Sequence, residues 1–397
     1  MTFSSIDHER VERVAFQFLV ASAFGSAFSH PLGRTLLAVS VLCVLVAMIS
    51  VRRHPEIPMV GWLAAIFIVV AIVVTLNGLS PEVGVPKLRK LLWFIGIPLS
   101  FMLINSSYRA EVLLKAYAIG TAILALDVVV IGLFRAHGAL ENSPIDNFVD
   151  AMIHVGSITD GQRLMLGILI VIGVLLLSRH REGTRPWGWW ALLAILVIAQ
   201  VMNFKRGSWI CTIVFSITLL GICRNWRFAL APVLLVVVLA FVPAVQLRMS
   251  QLSKEFQVPG GRMTMWTEVT PALIKEHPWG IGYRSLTNPM MRSVNREIER
   301  CRDHMHSNFA QILVATGWLG FASYLLWMLR GVADGAQYTR RVARKGEDTT
   351  VAFVWLVLLL ALLANGIVEY NFGDAEIVLA YGLIFGTCAA GARGFRY

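Results

Sequence analysis

The chain has 397 residues, 57% of them hydrophobic and only 15% charged, with a formal net charge of +11 and a mean hydropathy of +0.67. About a quarter of an ordinary soluble domain is charged, so this composition excludes one. Apolar runs of about 17 or more residues recur, enough to cross a bilayer as helix, and they exclude a β-barrel, whose strands would alternate over about ten residues.

Segment 1–13 is polar and mixed in charge, unlike a cleavable signal peptide. Twelve apolar spans follow, at about 11–29, 32–51, 59–77, 88–105, 112–134, 162–178, 187–203, 207–223, 228–247, 307–329, 350–368 and 375–392. The expected fold is an all-α polytopic membrane protein. It divides into spans one to nine (1–247), a large loop with short helices (248–305) and spans ten to twelve (306–397). With the N-terminus inside, seventeen Lys/Arg fall on inner segments and eight on the short outer ones. The positive-inside rule then puts both termini in the cytoplasm. The net positive charge is a topology signal and implies no nucleic acid. The five cysteines are scattered and suggest neither a disulfide nor a metal site.

The loop 248–305 carries nine Lys/Arg and six Asp/Glu. A helix starting after Gly260-Gly261 would put Met263, Trp266, Leu273 and Ile274 near one face, to lie on the membrane or cap the bundle. His277-Pro278-Trp279-Gly280-Ile281-Gly282 ends it in a turn, and a second, basic helix is expected at about 289–302. Arg284, Arg292, Arg296, Arg300 and Arg302 read as a solvated basic face that attracts an anion or lipid.

Four places could carry chemistry. Lys205-Arg206-Gly207-Ser208-Trp209 puts two cations at an outer helix mouth, against the positive-inside trend. Gly207 would admit a close neighbour, and Trp209 would anchor at the interface. An arginine fork matches phosphate geometry, although a cation there can also simply snorkel to headgroups. Arg262, after two glycines at a helix start, would join exposed N–H groups in an anion cradle. Arg163, at the outer start of the sixth span, is a further cation.

His304-Met305-His306-Ser307 lies at the mouth of the tenth span. Ser307 is a possible N-cap, and the positive helix end disfavours imidazolium at His306. His306 then reads as a base for a hydroxyl proton. His304, two residues away, would not share a helix face with it. The histidines could instead be idle, or bind zinc, though no third ligand stands at a recognisable spacing. Asp127 is expected to pair inside the bundle. Glu369 and Asp374 bracket an outer turn that could face the same cavity as His306.

In order along the chain, Arg206-Gly207-Ser208-Trp209, then Gly261-Arg262 with Trp266, then His277–Gly282, then His306-Ser307 followed after nine residues by Gly317-Trp318-Leu319-Gly320, resemble the O-antigen ligase and polymerase superfamily of bacterial envelope enzymes. The motifs cover roughly 160–330, and the layout, with its large loop between spans nine and ten, covers the whole chain. The resemblance implies a membrane glycosyltransferase of the GT-C type in the inner membrane. It would move a glycan from undecaprenyl pyrophosphate to a sugar hydroxyl of lipid A–core on the periplasmic side, inverting and without a metal or other cofactor. The residues themselves then make His306 the expected catalytic base and Arg206, Arg262, Arg163 and Lys205 the expected pyrophosphate ligands, with His304, Arg284, Glu369 and Asp374 as auxiliary candidates. The short segment after the last span favours a lipid-acceptor ligase over a protein-directed oligosaccharyltransferase, and the polymerases of the superfamily share the topology but match the His-Ser/Asn pattern less regularly. A different class, an anionic-lipid transporter or flippase, would want mid-membrane charges and two repeats of broken helices. This chain shows neither.

Overall fold

The structure, a computed structural model, describes residues 8–51, 55–140, 145–178, 186–258, 261–298 and 304–395. Among them there is no strand. Helices α1 (His8–Ser26), α2 (His30–Val51) and α3 (Met59–Leu76) lead through a turn of helix at Pro81–Gly84 and a 3-10 segment, Val85–Ile95, into α4 (Gly96–Leu103). Then come α5 (Ser107–Leu140), α6 (Ile145–Ile153), α7 (Ile158–Ser178), α8 (Trp187–Met202), α9 (Arg206–Ile222), α10 (Trp226–Ala240) and α11 (Pro243–Gln257). Three abutting pieces, Arg262–Thr264, the π-helical Met265–Val269 and Thr270–Glu276, and a short helix, Asn288–Val294, precede α12 (Asn308–Arg344), α13 (Thr350–Val368) and α14 (Ala375–Arg393).

Each of the twelve expected spans coincides with a helical segment, but length and composition qualify fewer as crossings. Seven helices are long and apolar enough: α2, α3, α5, α7, α12, α13 and α14. An eighth counts if α10 and α11, bent by 88° at their junction, are one span. Pro243 opens α11 and has no N–H to continue the helix before it. Helices α8 and α9 are apolar but only 16 and 17 residues long. The fourth expected span is interrupted: Pro86 starts a 3-10 stretch, and α4 begins only at Gly96. Helix α1 carries charged residues in its first two turns.

Helices α7 and α14 are apolar beyond their first turns and almost wholly buried. Close approach of α14 to α4 depends on glycine: a Cβ on Gly386 would lie 2.4 Å from the Ile97 carbonyl oxygen. Asp127 does not pair inside the bundle. It sits on an exposed face of α5, since the helix turns it away from the buried Leu124 and Val128.

The loop helix caps the bundle end through a face that keeps Leu273 and Trp266 of the expected four and replaces Met263. Met265, Val269 and Leu273 are buried together with Ile281, Met291 and Met305, while Met263 is exposed. The π-helical turn shifts the register and moves the apolar stripe. The second loop helix is Asn288–Val294, shorter than expected; Gly260, Arg300 and Arg302 lie outside the described residues.

The tenth span is not one continuous helix. Gly317 takes φ 66°, ψ −170° and breaks α12 into two rods. The segment 278–282 fills that break, backbone to backbone: Trp318 N–H donates to the Pro278 carbonyl (3.1 Å), Ile281 N–H to Val314 (3.0 Å) and Gly282 N–H to Ala315 (3.0 Å). A Cβ on Gly317 would lie 2.4 Å from the Pro278 oxygen. On its other side the segment meets α3, where Leu79 N–H reaches the Ile281 carbonyl (3.1 Å) and Tyr283 N–H reaches Thr75 Oγ1 (2.8 Å).

Candidate functional site

The six residues between α13 and α14, Glu369–Asp374, form a turn that Arg262, Arg284 and His304 reach. An amide network holds it. Asn308, first residue of α12, donates to Asn371 Oδ1 (2.6 Å) and accepts from the Asn371 N–H (2.9 Å). Gly366 allows this approach, since a Cβ there would sit 2.3 Å from Asn308 Nδ2. Phe372 points down into a buried aromatic cluster, with ring centroids 5.0 Å from Tyr381, 5.3 Å from Tyr324 and 5.4 Å from Phe94. Tyr283 donates its hydroxyl to the Phe372 carbonyl (3.0 Å), and burial pushes that phenol up to about 12, so it stays a neutral donor. Burial also lifts the Tyr370 phenol well above its ordinary value.

On one side of the turn stand the arginines. Arg262 pairs with Glu369 (Nη2 to Oε1, 2.6 Å), and its Nε donates to the Val368 carbonyl (3.1 Å). Arg206, buried at the first residue of α9, donates to the Arg248 carbonyl (2.7 Å). Its neighbour Gly207 faces Asn365 and Glu369, but a Cβ there would meet them at 3.5 and 3.7 Å, ordinary contact. No close approach therefore depends on that glycine. Lys205 donates to the Ile153 carbonyl (2.6 Å). Trp209 is no interface anchor: it is buried, packs on Phe204 with ring centroids 5.6 Å apart, and donates its indole N–H to the Gln200 carbonyl. It locks the α8–α9 corner, where Phe204 has φ 56°. Arg163 is buried and paired with Asp160 one turn away, and nearby Thr159 donates to Asp374 (2.6 Å).

The histidines stand beside Tyr370 of the same turn. His306 is left-handed, φ 51°. Because 304–306 is a turn and not helix, the His304 and His306 rings come together, with centroids 4.5 Å apart, against the expectation that they diverge. The His304 ring is 5.9 Å from Tyr370. Ser307 occupies the N-cap position of α12, but its side chain makes no capping bond. The turn hangs instead on Met305: its carbonyl accepts from Trp266 Nε1 (2.8 Å), and its N–H donates to Gln311 Oε1 (2.8 Å). Among the described residues no group of three or more His, Cys, Asp or Glu side chains gathers as a metal site.

Lys87 and Lys90, counted from sequence only as topology charges, belong here too. Lys90 and Arg284 both donate to the Gly373 carbonyl, the latter at 2.6 Å. Lys87 donates to the Arg284 carbonyl (2.9 Å), and the Arg284 guanidinium lies 5.6 Å from the Tyr370 ring centroid. Their spacing held a signal: residues three apart eclipse on a 3-10 helix, and Val85–Ile95 is one.

One end of the bundle thus carries fixed cations, two carboxylates and two imidazoles around one turn. Such a set can bind a strongly anionic group and accept a proton beside it. Taken with the apolar helices, it defines a polytopic helical membrane protein with a cationic, histidine-bearing site at the end of its bundle. Residues 191–325 match the family model Wzy_C, O-antigen ligase. Over that segment, about a third of its length, the chain is similar to O-antigen ligases. No curated protein sequence matches the chain. The matched segment holds Arg206, Arg262, Arg284, Trp266, His306 and Gly317, whereas Arg163, Lys87, Lys90 and the Glu369–Asp374 turn lie outside it.

Proposed function

We propose that the protein is an O-antigen ligase. It takes a glycan from undecaprenyl pyrophosphate and joins it to a sugar hydroxyl of lipid A–core, as a GT-C type transferase. The site opens to the periplasmic side of a bacterial inner membrane, with both termini cytoplasmic. The observation that carries this reading is that Arg262 pairs with Glu369 while His304, its ring against His306, stands beside Tyr370 of the same turn, with Arg262 and both histidines inside the segment similar to O-antigen ligases.

In this mechanism Arg206 and Arg262, supported by Lys205 and Arg163, bind the pyrophosphate. Glu369 and the Val368 carbonyl orient the Arg262 fork. The acceptor oxygen attacks the anomeric carbon from the face opposite the leaving group, so the centre inverts. The new C–O bond forms as the bond to the pyrophosphate oxygen breaks, and that oxygen takes the electron pair. Cations fixed where this charge develops stabilise the transition state without reorganising. The acceptor proton passes to His306. An apolar groove of about 440 Å3 between α7, α8, α9 and α10 begins at Thr212, under two turns below Arg206 on α9. It suits a single polyprenyl chain whose head lies at the arginines.

The test is reconstitution of purified protein with an undecaprenyl-linked glycan and lipid A–core. Ligation to the lipid A–core supports the reading. Growth of the glycan on its carrier, with no transfer to lipid A–core, would make the protein a polymerase instead.

A further inference from the structure

Two apolar grooves open on helices that the α7–α10 groove does not touch. One, of about 460 Å3, runs between α3 and the Val85–Ile95 segment, from Arg89 past Ala65 to Ile57 and Pro98. The other, of about 550 Å3, lies between α2 and α4 and shares Ile57, Ile95 and Pro98 with the first. Arg89 is exposed and makes no ion pair or hydrogen bond among the described residues. The adjacent Lys90 reaches the Gly373 carbonyl beside Arg284, Arg284 lies over Tyr370, and Tyr370 stands beside His304. A row of polar groups therefore leads from the mouth of the groove to the histidine pair.

Any arginine at a membrane surface can meet bulk headgroups. One feature here asks for more: the cation at the mouth of the groove beside α3 continues into the site through Lys90 and Arg284. We propose that this face holds the lipid acceptor, a phosphorylated glycolipid with several acyl chains. Acyl chain packs in the groove beside α3, a phosphate sits at Arg89, and the sugars run along Lys90 and Arg284 toward His304 and His306. The donor's single chain occupies the groove below Arg206, so the two lipids approach the turn from different helices. This assignment rests on the ligase reading.

The experiment uses the full chain in phosphatidylcholine nanodiscs, with two variants outside the catalytic set. Ala65→Trp fills the groove at an exposed position, and Arg89→Glu reverses the head charge. Binding of fluorescent lipid A is measured directly, beside ligation kinetics. Both variants should weaken lipid A binding by about tenfold or more, the loss of one charge-assisted or buried apolar contact. Ala65→Trp should raise KM for the acylated acceptor alone and leave a de-acylated acceptor unchanged. Arg89→Glu should raise KM for both, but not for a dephosphorylated acceptor. Donor KM and kcat should stay as in the unmodified protein. Wild-type lipid A binding in both variants overturns the proposal, as does displacement of lipid A by equimolar phosphatidylglycerol. If the unmodified protein transfers no glycan, the ligase reading fails, while the binding measurements still decide whether this face holds a phosphorylated, acylated lipid.

Discussion

His306 keeps a left-handed backbone, a conformation that costs a non-glycine residue on the order of 1–2 kcal/mol, because its neighbour Met305 is pinned by Trp266 and Gln311. Trp266→Phe keeps the ring's bulk and removes the N–H. It should lower kcat about tenfold, on the scale of one lost buried hydrogen bond, while donor KM holds. Steady-state kinetics at saturating acceptor checks this, and unchanged kcat would mean that Met305 does not position His306. Arg262→Lys should restore little activity to the site, because an ammonium cannot span Val368 and Glu369 as the planar fork does. Rates equal to those of the arginine enzyme would count against a phosphate-binding fork. At this scale much was legible. Arginines and histidines at helix mouths stand out because charge there is costly. Lys87 and Lys90 did not, because a lysine near a span end looks like a topology signal until the backbone is known to be 3-10. Trp209 misled because an indole at a helix start fits an interface anchor and a buried corner lock equally well.

The break in α12 explains why Gly317 and the 277–282 segment occur in one chain. Gly317→Ala would face both a positive φ and a Cβ 2.4 Å from the Pro278 oxygen. It should destabilise the protein by about 2 kcal/mol or more. A lower thermal midpoint in detergent, with faster proteolysis of the loop, is the expected result; an unchanged midpoint would deny that this docking holds the loop. Hydrophobic periodicity found the helices but not this break, because the apolar pattern continues on both sides of Gly317. The same limit applies to the amphipathic face at 262–276. A 3.6-residue period assumes a regular helix, and the π-helical turn moved Met265 inward and Met263 outward.

For the molecule as a whole, the all-helical membrane architecture followed from composition. The number of crossings did not: apolar length cannot separate a full crossing from the shorter α8 and α9 or from the interrupted 85–103 stretch. Orientation rests on the Lys/Arg asymmetry. Exposed positions 288 and 340 stand on opposite sides of the expected topology. In a background free of native cysteine, Asn288→Cys should react with an impermeant thiol reagent from the periplasm and Arg340→Cys should not. The reverse pattern would turn the site inward.

The central claim is a division of labour around the Glu369–Asp374 turn, with arginines holding the leaving group and His306 taking the proton. The measurement that tests it most directly pairs donor binding with single-turnover transfer in reconstituted Arg206→Ala and His306→Ala proteins. Arg206→Ala should lose donor affinity and slow transfer by about a hundredfold, the usual cost of one donor to a developing oxyanion. His306→Ala should bind the donor as the unmodified protein does and transfer nothing, since its part is played only in the transition state. A His306→Ala protein that turns over at the wild-type rate, or an Arg206→Ala protein that binds donor and turns over normally, would contradict it.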